Sequence, residues 1–124
     1  MPLKLRIPAG EKIVVNGAVI TNVDDRAMYI QLENEAQFMR GRDILRPEDV
    51  VTPLDEAYFH VQMMYIEPDS RTERRPQFVD AARRAFLAAA SDADRGRIFE
   101  AVGDVGEGRL FAAMIRLREL RKGE

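Results

Sequence analysis

The dipeptide Asn16-Gly17 constrains the fold of this chain more than any other local feature. A two-residue turn of type I′ requires positive φ at both central positions, and asparagine followed by glycine adopts that geometry most readily. The apolar-rich segments Lys12–Val15 and Ala18–Thr21 flank the pair. The sequence therefore predicts a tight β-hairpin, with one strand on each side of the turn.

Further strands are predicted before and after this hairpin. Leu3–Ile7 alternates leucine or isoleucine with lysine or arginine, which is the two-residue period of a half-buried strand. Residues 27–33 alternate in the same way, with Tyr29 on the polar side, and residues 36–40 suggest a short fifth strand. We therefore expect residues 1–50 to form a small antiparallel β-sheet, either a meander or a barrel.

The region 51–124 is predicted to be helical. Thr52 is a suitable N-cap and Pro53 suits the first helical position. The apolar residues 57–66 continue this helix, although their aromatic and β-branched side chains also suit a buried strand. A polar, proline-bearing linker is expected at about residues 67–76, and three more helices are expected at residues 76–90, 91–102 and 107–122. The predicted fold class is α+β, with a small sheet followed by a bundle of about four helices.

Composition argues against an enzyme. The 124 residues include no cysteine, and His60 is the only histidine, so neither a thiolate metal site nor a histidine cluster can form. The glycine-rich residues 103–108 (GDVGEG) lack the lysine and the spacing of a phosphate-binding loop, so a turn between helices is the preferred interpretation. We predict no catalytic residue, no metal and no cofactor, and therefore a binding protein.

The charge and hydropathy of the chain limit its expected location and its expected partners. No segment is long and apolar enough to span a membrane, and the first residues lack the apolar core of a signal peptide. We therefore expect a soluble, cytoplasmic protein with no membrane partner. Its 19 Lys and Arg nearly balance 21 Asp and Glu, which leaves a formal charge of −2. Dedicated nucleic-acid-binding domains are usually more basic, so net charge alone does not indicate such a partner.

Three segments carry a resemblance to a known family. They are LKLRIPAGEKIVVNGAVI at residues 3–20, DILRPEDV at residues 43–50 and YFHVQMMYI at residues 58–66. Together they resemble the flagellar biosynthesis regulator family FlbT. The resemblance implies a post-transcriptional regulator that associates with the 5′ untranslated region of flagellin mRNA and represses its translation or promotes its decay. The protein FlaF is the opposing factor in that circuit.

The first half also resembles, more weakly, the carbon storage regulator CsrA. That family binds leader RNA through its first and last strands, as a dimer with interleaved strands, so a homodimer is expected here too. The resemblance implies that strand one adjoins strand five, although Gly41 replaces the family's key arginine. Together with the cations that follow strand five, the expected RNA-binding residues are Lys4, Arg6, Arg40, Arg42 and Arg46.

An interaction with another protein is the alternative function. The helix at residues 57–66 has more apolar residues than one buried face requires, and adjacent methionines suit an adaptable interface. A flagellar adaptor or chaperone-like factor would bind flagellin, FlaF or another flagellar regulator through this helix. A core helix is the competing interpretation. The partner-binding candidates are Tyr58, Phe59, Met63 and Met64.

Overall fold

Within residues 2–123, the part of the chain that this computed structural model describes, five β-strands precede four α-helices. This order confirms the predicted α+β class. The chain folds as two compact units that divide between Ile44 and Leu45, whereas the sequence suggested a boundary at residue 50. We call residues 2–44 the β unit and residues 45–123 the helical unit.

The β unit contains two antiparallel sheets instead of one continuous meander. Its strands are β1 (Leu3–Ile7), β2 (Lys12–Val15), β3 (Ala18–Thr21), β4 (Met28–Leu32) and β5 (Phe38–Met39). The first sheet is a two-stranded ribbon of β1 and β4, and in the second sheet β2 lies between β3 and β5. The ribbon therefore encloses the whole β2–β3 hairpin in its connecting segment.

The hairpin turn has the predicted geometry. Asn16 and Gly17 have φ values of 49° and 85°, as a type I′ turn requires. Asn16 also holds the chain that leads into β5. Its backbone N–H donates to the Gln37 carbonyl at 2.7 Å, and its Oδ1 accepts from the Gln37 N–H at 2.9 Å. The turn thus fixes both neighbours of β2.

One apolar cluster joins the two sheets of the β unit. Leu5 and Ile7 of β1 and Ile13 of β2 are buried at its centre. Burial of a side chain of this size contributes about 1.5–3 kcal/mol to folding. Because side chains alternate along a strand, Lys4 and Arg6 point away from the cluster. The half-buried residues packed around it are Val15, Ile30, Leu32 and Phe38.

A buried asparagine links the ends of the strands. The side-chain amide of Asn22, which is 2% exposed, donates to the carbonyls of Ile7 at 2.9 Å and Arg26 at 2.8 Å. It also lies 3.2 Å from the carbonyl of Pro8, and its Oδ1 accepts from the Asp24 N–H at 3.0 Å. Asn22 therefore joins the end of β1 to the segment that leads into β4.

The helical unit is built around its first helix. The helices are α1 (Pro53–Ile66), α2 (Arg71–Ala88), α3 (Asp92–Gly106) and α4 (Leu110–Lys122). Helix α1 packs against α2 and α4, and α3 packs against both of them. The predicted start of α1 is confirmed: the Thr52 hydroxyl accepts from the Asp55 N–H at 3.0 Å, and the Asp55 carboxylate accepts from the Thr52 N–H at 3.1 Å.

A second buried amide fixes the start of the helical unit. Gln62 on α1 is buried, and its side chain pairs with the backbone of Leu45 in both directions. Its Oε1 accepts from the Leu45 N–H at 2.8 Å, and its Nε2 donates to the Leu45 carbonyl at 2.8 Å. Both polar groups of an otherwise irregular segment are satisfied in this way.

Two helices extend beyond the bounds that the sequence suggested. The expected linker at residues 67–76 forms a short 3₁₀ turn, Pro68–Ser70, and the first turns of α2, with Pro76 inside that helix. Helix α3 continues through Gly103 instead of ending at residue 102. In α2 the residues after the proline bury a stripe against the rest of the unit, and this packing outweighs the poor helix propensity. The buried residues of that stripe are Phe78, Ala81, Ala82 and Ala85.

Two buried carboxylates hold the helix ends together. Asp55 at the start of α1 accepts from Arg121 Nε near the end of α4 at 2.8 Å. Asp104 near the end of α3 accepts from Arg116 at 2.7 Å and from Arg109 at 3.0 Å. Both carboxylates are paired and hydrogen-bonded, which is what burial of a charge requires. None of the helices in residues 2–123 combines the length and apolarity needed to cross a bilayer.

Replacing Asn22 should destabilise the β unit selectively. We expect Asn22→Ala to lower the free energy of unfolding by about 1–3 kcal/mol, since it leaves buried carbonyls without donors. Amide hydrogen exchange in β1 and β4 measures this loss. The exposed Asn34→Ala is the matched control and should leave exchange unchanged. Equal protection in the two variants would show that the asparagine does not link the strands.

The stability of the helical unit should depend on pH through Asp104. Burial alone would raise the pKa of Asp104, but hydrogen bonds from Arg116 and Arg109 outweigh it and hold the pKa below its ordinary value. The carboxylate is therefore more acidic in the folded chain than in the unfolded one. Its contribution is complete above the unfolded pKa of about 3.9, and it is lost as the pH falls through the lower folded value.

We expect Asp104→Asn to lower the free energy of unfolding at pH 7 by about 1–3 kcal/mol. The difference between this variant and the unaltered chain should shrink as the pH falls below about 4. Urea unfolding at several pH values measures both effects. Asp80→Asn, at an exposed ion pair with Arg84, is the control and should change stability little. A difference that stays constant down to pH 2 would contradict the assignment.

Candidate nucleic-acid interface

The outer face of the ribbon is polar and carries positive charge. Strand register places Lys4 opposite Gln31 and Arg6 opposite Tyr29. All four side chains are exposed, while the alternate residues of β1 and β4 face the apolar cluster. We call Lys4, Arg6, Tyr29 and Gln31 the outer face. It is a regular two-by-two array on a hydrogen-bonded support.

The two cations of this face have no acidic partner in the described part of the chain. No carboxylate among residues 2–123 forms an ion pair with Lys4 or Arg6. Gln31 is different, because its Nε2 donates to Glu33 Oε1 at 2.7 Å. The Arg6 end of the outer face therefore has the more positive surroundings and is better suited to an anionic ligand.

A second basic segment follows β5. Arg40 and Arg42 flank Gly41, which begins the 3₁₀ turn Gly41–Asp43. The Arg40 guanidinium lies 5.6 Å from the centre of the Phe38 ring, so its position is partly fixed by a cation–π contact. Arg42 is exposed. We call Arg40 and Arg42 the turn cations.

The absence of a side chain at residue 41 sets the position of the turn cations. A Cβ built on Gly41 would lie 3.0 Å from the Lys12 carbonyl oxygen and 3.0 Å from Glu11 Oε2. The turn therefore lies directly against the start of β2. An arginine here, as in the CsrA pattern, would not fit without displacing that strand.

The prediction that strands one and five lie side by side is wrong. Within residues 2–123, β1 pairs with β4 and β5 pairs with β2. The turn cations are consequently neighbours of Lys12, and the partner of Arg6 across the strands is Tyr29. The predicted cations of the β unit thus lie on two separate elements.

Arg46 differs from the other predicted cations. It lies in the helical unit, and its Nε is 3.0 Å from Asp49 and 3.6 Å from Glu48. The hydrogen bond to Asp49, followed by the charges of Asp49 and Glu48, raises the pKa of Arg46. Its charge is already compensated locally, which makes it a poorer candidate for phosphate binding. Its role in RNA binding stays a prediction.

The partner-binding residues expected on α1 belong largely to the core. Tyr58 and Met64 are 0% exposed, so neither can contact a partner in this conformation. Phe59 and Met63 are half-buried. The Arg74 guanidinium lies 5.6 Å from the centre of the Phe59 ring. The extra apolar residues of this helix are explained by its packing against both α2 and α4.

His60 is a structural residue, as the sequence suggested. It is buried on α1, and its Nδ1 lies 3.2 Å from Arg74 Nη1. Because arginine can only donate, Nδ1 must accept and is unprotonated. Burial, and then the charge of Arg74, lowers the pKa of His60, so the ring is neutral at pH 7. It therefore serves as a hydrogen-bond acceptor between α1 and α2.

Comparison with known proteins points to one family. The family model "Flagellar protein FlbT" matches residues 3–124. The "Flagellum biosynthesis repressor protein FlbT" of Caulobacter vibrioides is 48% identical over 67 residues, which are 54% of this chain. The "Probable flagellum biosynthesis repressor protein FlbT" of Brucella suis is 37% identical over 111 residues, 79% of this chain and 71% of that protein.

The alignments differ in how much of each relative they cover. The chain spans about half the length of the Caulobacter vibrioides protein, 47%. A similar protein from another Caulobacter species is 43% identical over 75 residues, 60% of this chain and 56% of that relative. No solved structure matches the chain.

Gly41→Ala should destabilise the β unit, because the added methyl group meets the backbone of β2. Overpacking of this kind costs about 1–3 kcal/mol. The matched control is Gly103→Ala, which has open space around the new Cβ and lies inside α3. It should stabilise the chain by about 0.5–1 kcal/mol. Denaturant unfolding compares the two, and a stabilising Gly41→Ala would show that the turn does not lie against β2.

Proposed function

This chain belongs to the FlbT family of flagellar proteins, and from that premise we propose that it represses flagellum biosynthesis by acting on a messenger RNA. In the finer form of the proposal, it associates with the 5′ untranslated region of flagellin mRNA in the cytoplasm. It then represses translation or promotes decay of the message. The repressor names of the relatives and the basic surfaces of the β unit support this function.

One observation carries the proposal: three exposed cations of the small β unit have no carboxylate partner among the described residues. In the helical unit, arginines such as Arg84, Arg109 and Arg116 form ion pairs with carboxylates. In the β unit, among the described residues, Lys4, Arg6 and Arg42 have no such partner. A chain of nearly neutral net charge can bind an anion where several unpaired cations lie on one small unit.

The chemistry of these cations suits an RNA backbone. Phosphate contacts from lysine and arginine provide most of the affinity of a protein for nucleic acid, and they position the strand. A leader region contains unpaired segments, which proteins read more readily than RNA duplexes. Lys4 and Arg6 on the outer face, and the turn cations, are the proposed phosphate contacts.

A protein partner is the second candidate function, and exposed apolar side chains of the helical unit favour it. Leu87 on α2 is 69% exposed and Phe99 on α3 is 73% exposed. An adaptor that binds flagellin or FlaF would use such residues. Co-purification with flagellin after nuclease treatment would support this candidate, and loss of the complex with nuclease would support the RNA proposal. A homodimer formed by strand exchange stays a prediction; β3 is an exposed edge strand of the kind that such an exchange would cover.

Neutralising the turn cations should weaken RNA binding. We expect Arg40→Ala combined with Arg42→Ala to lower affinity for flagellin leader RNA. It should also reduce the slope of log affinity against log salt by about 1.4, since each phosphate contact to a single strand contributes about 0.7. Gel-shift titrations at several salt concentrations provide both quantities, and thermal unfolding checks that the fold is retained.

The matched control is Arg75→Ala combined with Arg83→Ala. These two arginines lie exposed on α2 and, within the described residues, have no ion pair. Their removal changes net charge equally and should leave the salt slope unaltered. An equal loss in both double variants would indicate a general charge effect and would count against the turn cations as a site.

A further inference from the structure

We infer that Tyr29 is a stacking platform for an unpaired base, and that Arg6 beside it binds the flanking phosphate. This inference rests on the proposed function and names the ligand class of the outer face: a single-stranded nucleic acid with accessible bases. The phosphate contacts of the previous section require only a polyanion. The exposed ring of Tyr29 on the outer face can also bind a base, which a simple polyanion lacks.

The exposure of Tyr29 is the first observation. Its side chain is 72% exposed, on the face of the ribbon that is otherwise polar. Among residues 2–123, no hydrogen bond engages its hydroxyl and no guanidinium lies over its ring. The hydrophobic cluster of the β unit does not include it either. A large aromatic ring on a strand is therefore left mostly exposed to solvent.

The cross-strand neighbour of Tyr29 is the second observation. Arg6 faces it directly in the strand register, and side chains of opposed residues have Cβ atoms about 4.5–5.5 Å apart. Lys4 lies two residues from Arg6 along β1, a distance of about 6.7 Å between their Cα atoms. A phosphate held by either cation places its own nucleotide within reach of the ring. Charge and aromatic surface are thus combined on one short ribbon.

The support beneath this pair is rigid. Ile7, the residue after Arg6, is buried, and its carbonyl accepts from the Asn22 amide. The same amide holds Arg26 just before β4. The backbone on both sides of the Arg6–Tyr29 pair is therefore fixed by one buried group. A preorganised platform loses less conformational entropy when a ligand binds.

These features favour a single strand over the other polyanions. Stacking of a base on an aromatic side chain requires an exposed base face, which a duplex does not offer along its length. An acidic peptide would use the cations but gain little from the ring. A flat, two-stranded surface with one aromatic residue is best matched by one or two unpaired nucleotides.

The first test uses fluorescence at position 29. The chain has no tryptophan, so in Tyr29→Trp the indole emission reports on this position alone. Titration with a short oligoadenylate should quench the emission. Polyphosphate, which has charge but no bases, should bind without quenching. Equal responses to both polymers would overturn stacking, because the signal would then depend on charge only.

The second test compares affinities. Tyr29→Ala should weaken oligoadenylate binding about tenfold, the effect of removing one stacked aromatic. Tyr29→Phe should retain affinity, since it retains the ring. Phe99→Ala removes an equally exposed aromatic from the helical unit and should have no effect. Unchanged binding in Tyr29→Ala, with the fold intact by thermal unfolding, would overturn the inference.

Flagellin leader RNA, tested with the same variants, separates this inference from the proposed function. Leader binding that survives Tyr29→Ala supports the function and overturns the stacking role. Failure of the unaltered protein to bind the leader, combined with ring-dependent binding of oligoadenylate, overturns the function and supports the role. The stacking role would also be overturned if an RNA duplex displaced oligoadenylate as effectively as a single-stranded RNA does.

Discussion

The side-chain amide of Asn22 is the interaction on which the β unit depends. Three backbone carbonyls converge on one buried nitrogen, and they come from the end of β1, the following turn and the segment just before β4. The backbone of the same residue exchanges hydrogen bonds with Gly10 and Glu11, next to the hairpin. Because the Asn22 side chain and the Ile7 carbonyl are buried, each would be costly to leave unpaired. One polar residue thereby brings the two sheets together.

In the helical unit, too, buried polar side chains join separate segments of the chain. Asp55 and Asp104 are buried where two helices meet; Asp55 binds Arg121, and Asp104 binds Arg109 and Arg116. Burial of a carboxylate is favourable only when such partners satisfy it. Part of the positive charge of this unit is therefore compensated inside it. The cations of the β unit, which have no carboxylate partners among the described residues, remain available to a ligand.

The parts of the fold that depend on neighbouring residues were predictable. Asn16-Gly17 specifies its own turn, and Thr52 with Pro53 specifies the start of α1, because caps and turns are local chemistry. The pairing of β1 with β4 was not predictable, since alternation shows which face of a strand is buried but not which strand lies beside it. The start of α2 was predicted at Pro76 instead of Arg71, and Gly103 was overestimated as an interruption, because tertiary packing can offset the unfavourable propensities of proline and glycine.

The candidate site shows the same limit. Alternation correctly placed Lys4 and Arg6 on an exposed face, and the motif beginning Arg46-Pro47 already contained the acidic residues that compensate Arg46. The position of Arg6 opposite Tyr29 required the strand register. The enclosure of the hairpin within the ribbon also sets an order of assembly. Local contacts close sooner than distant ones, so β2 and β3 can join while the chain is still being synthesised. Strand β1 leaves the ribosome well before β4, and must wait for it.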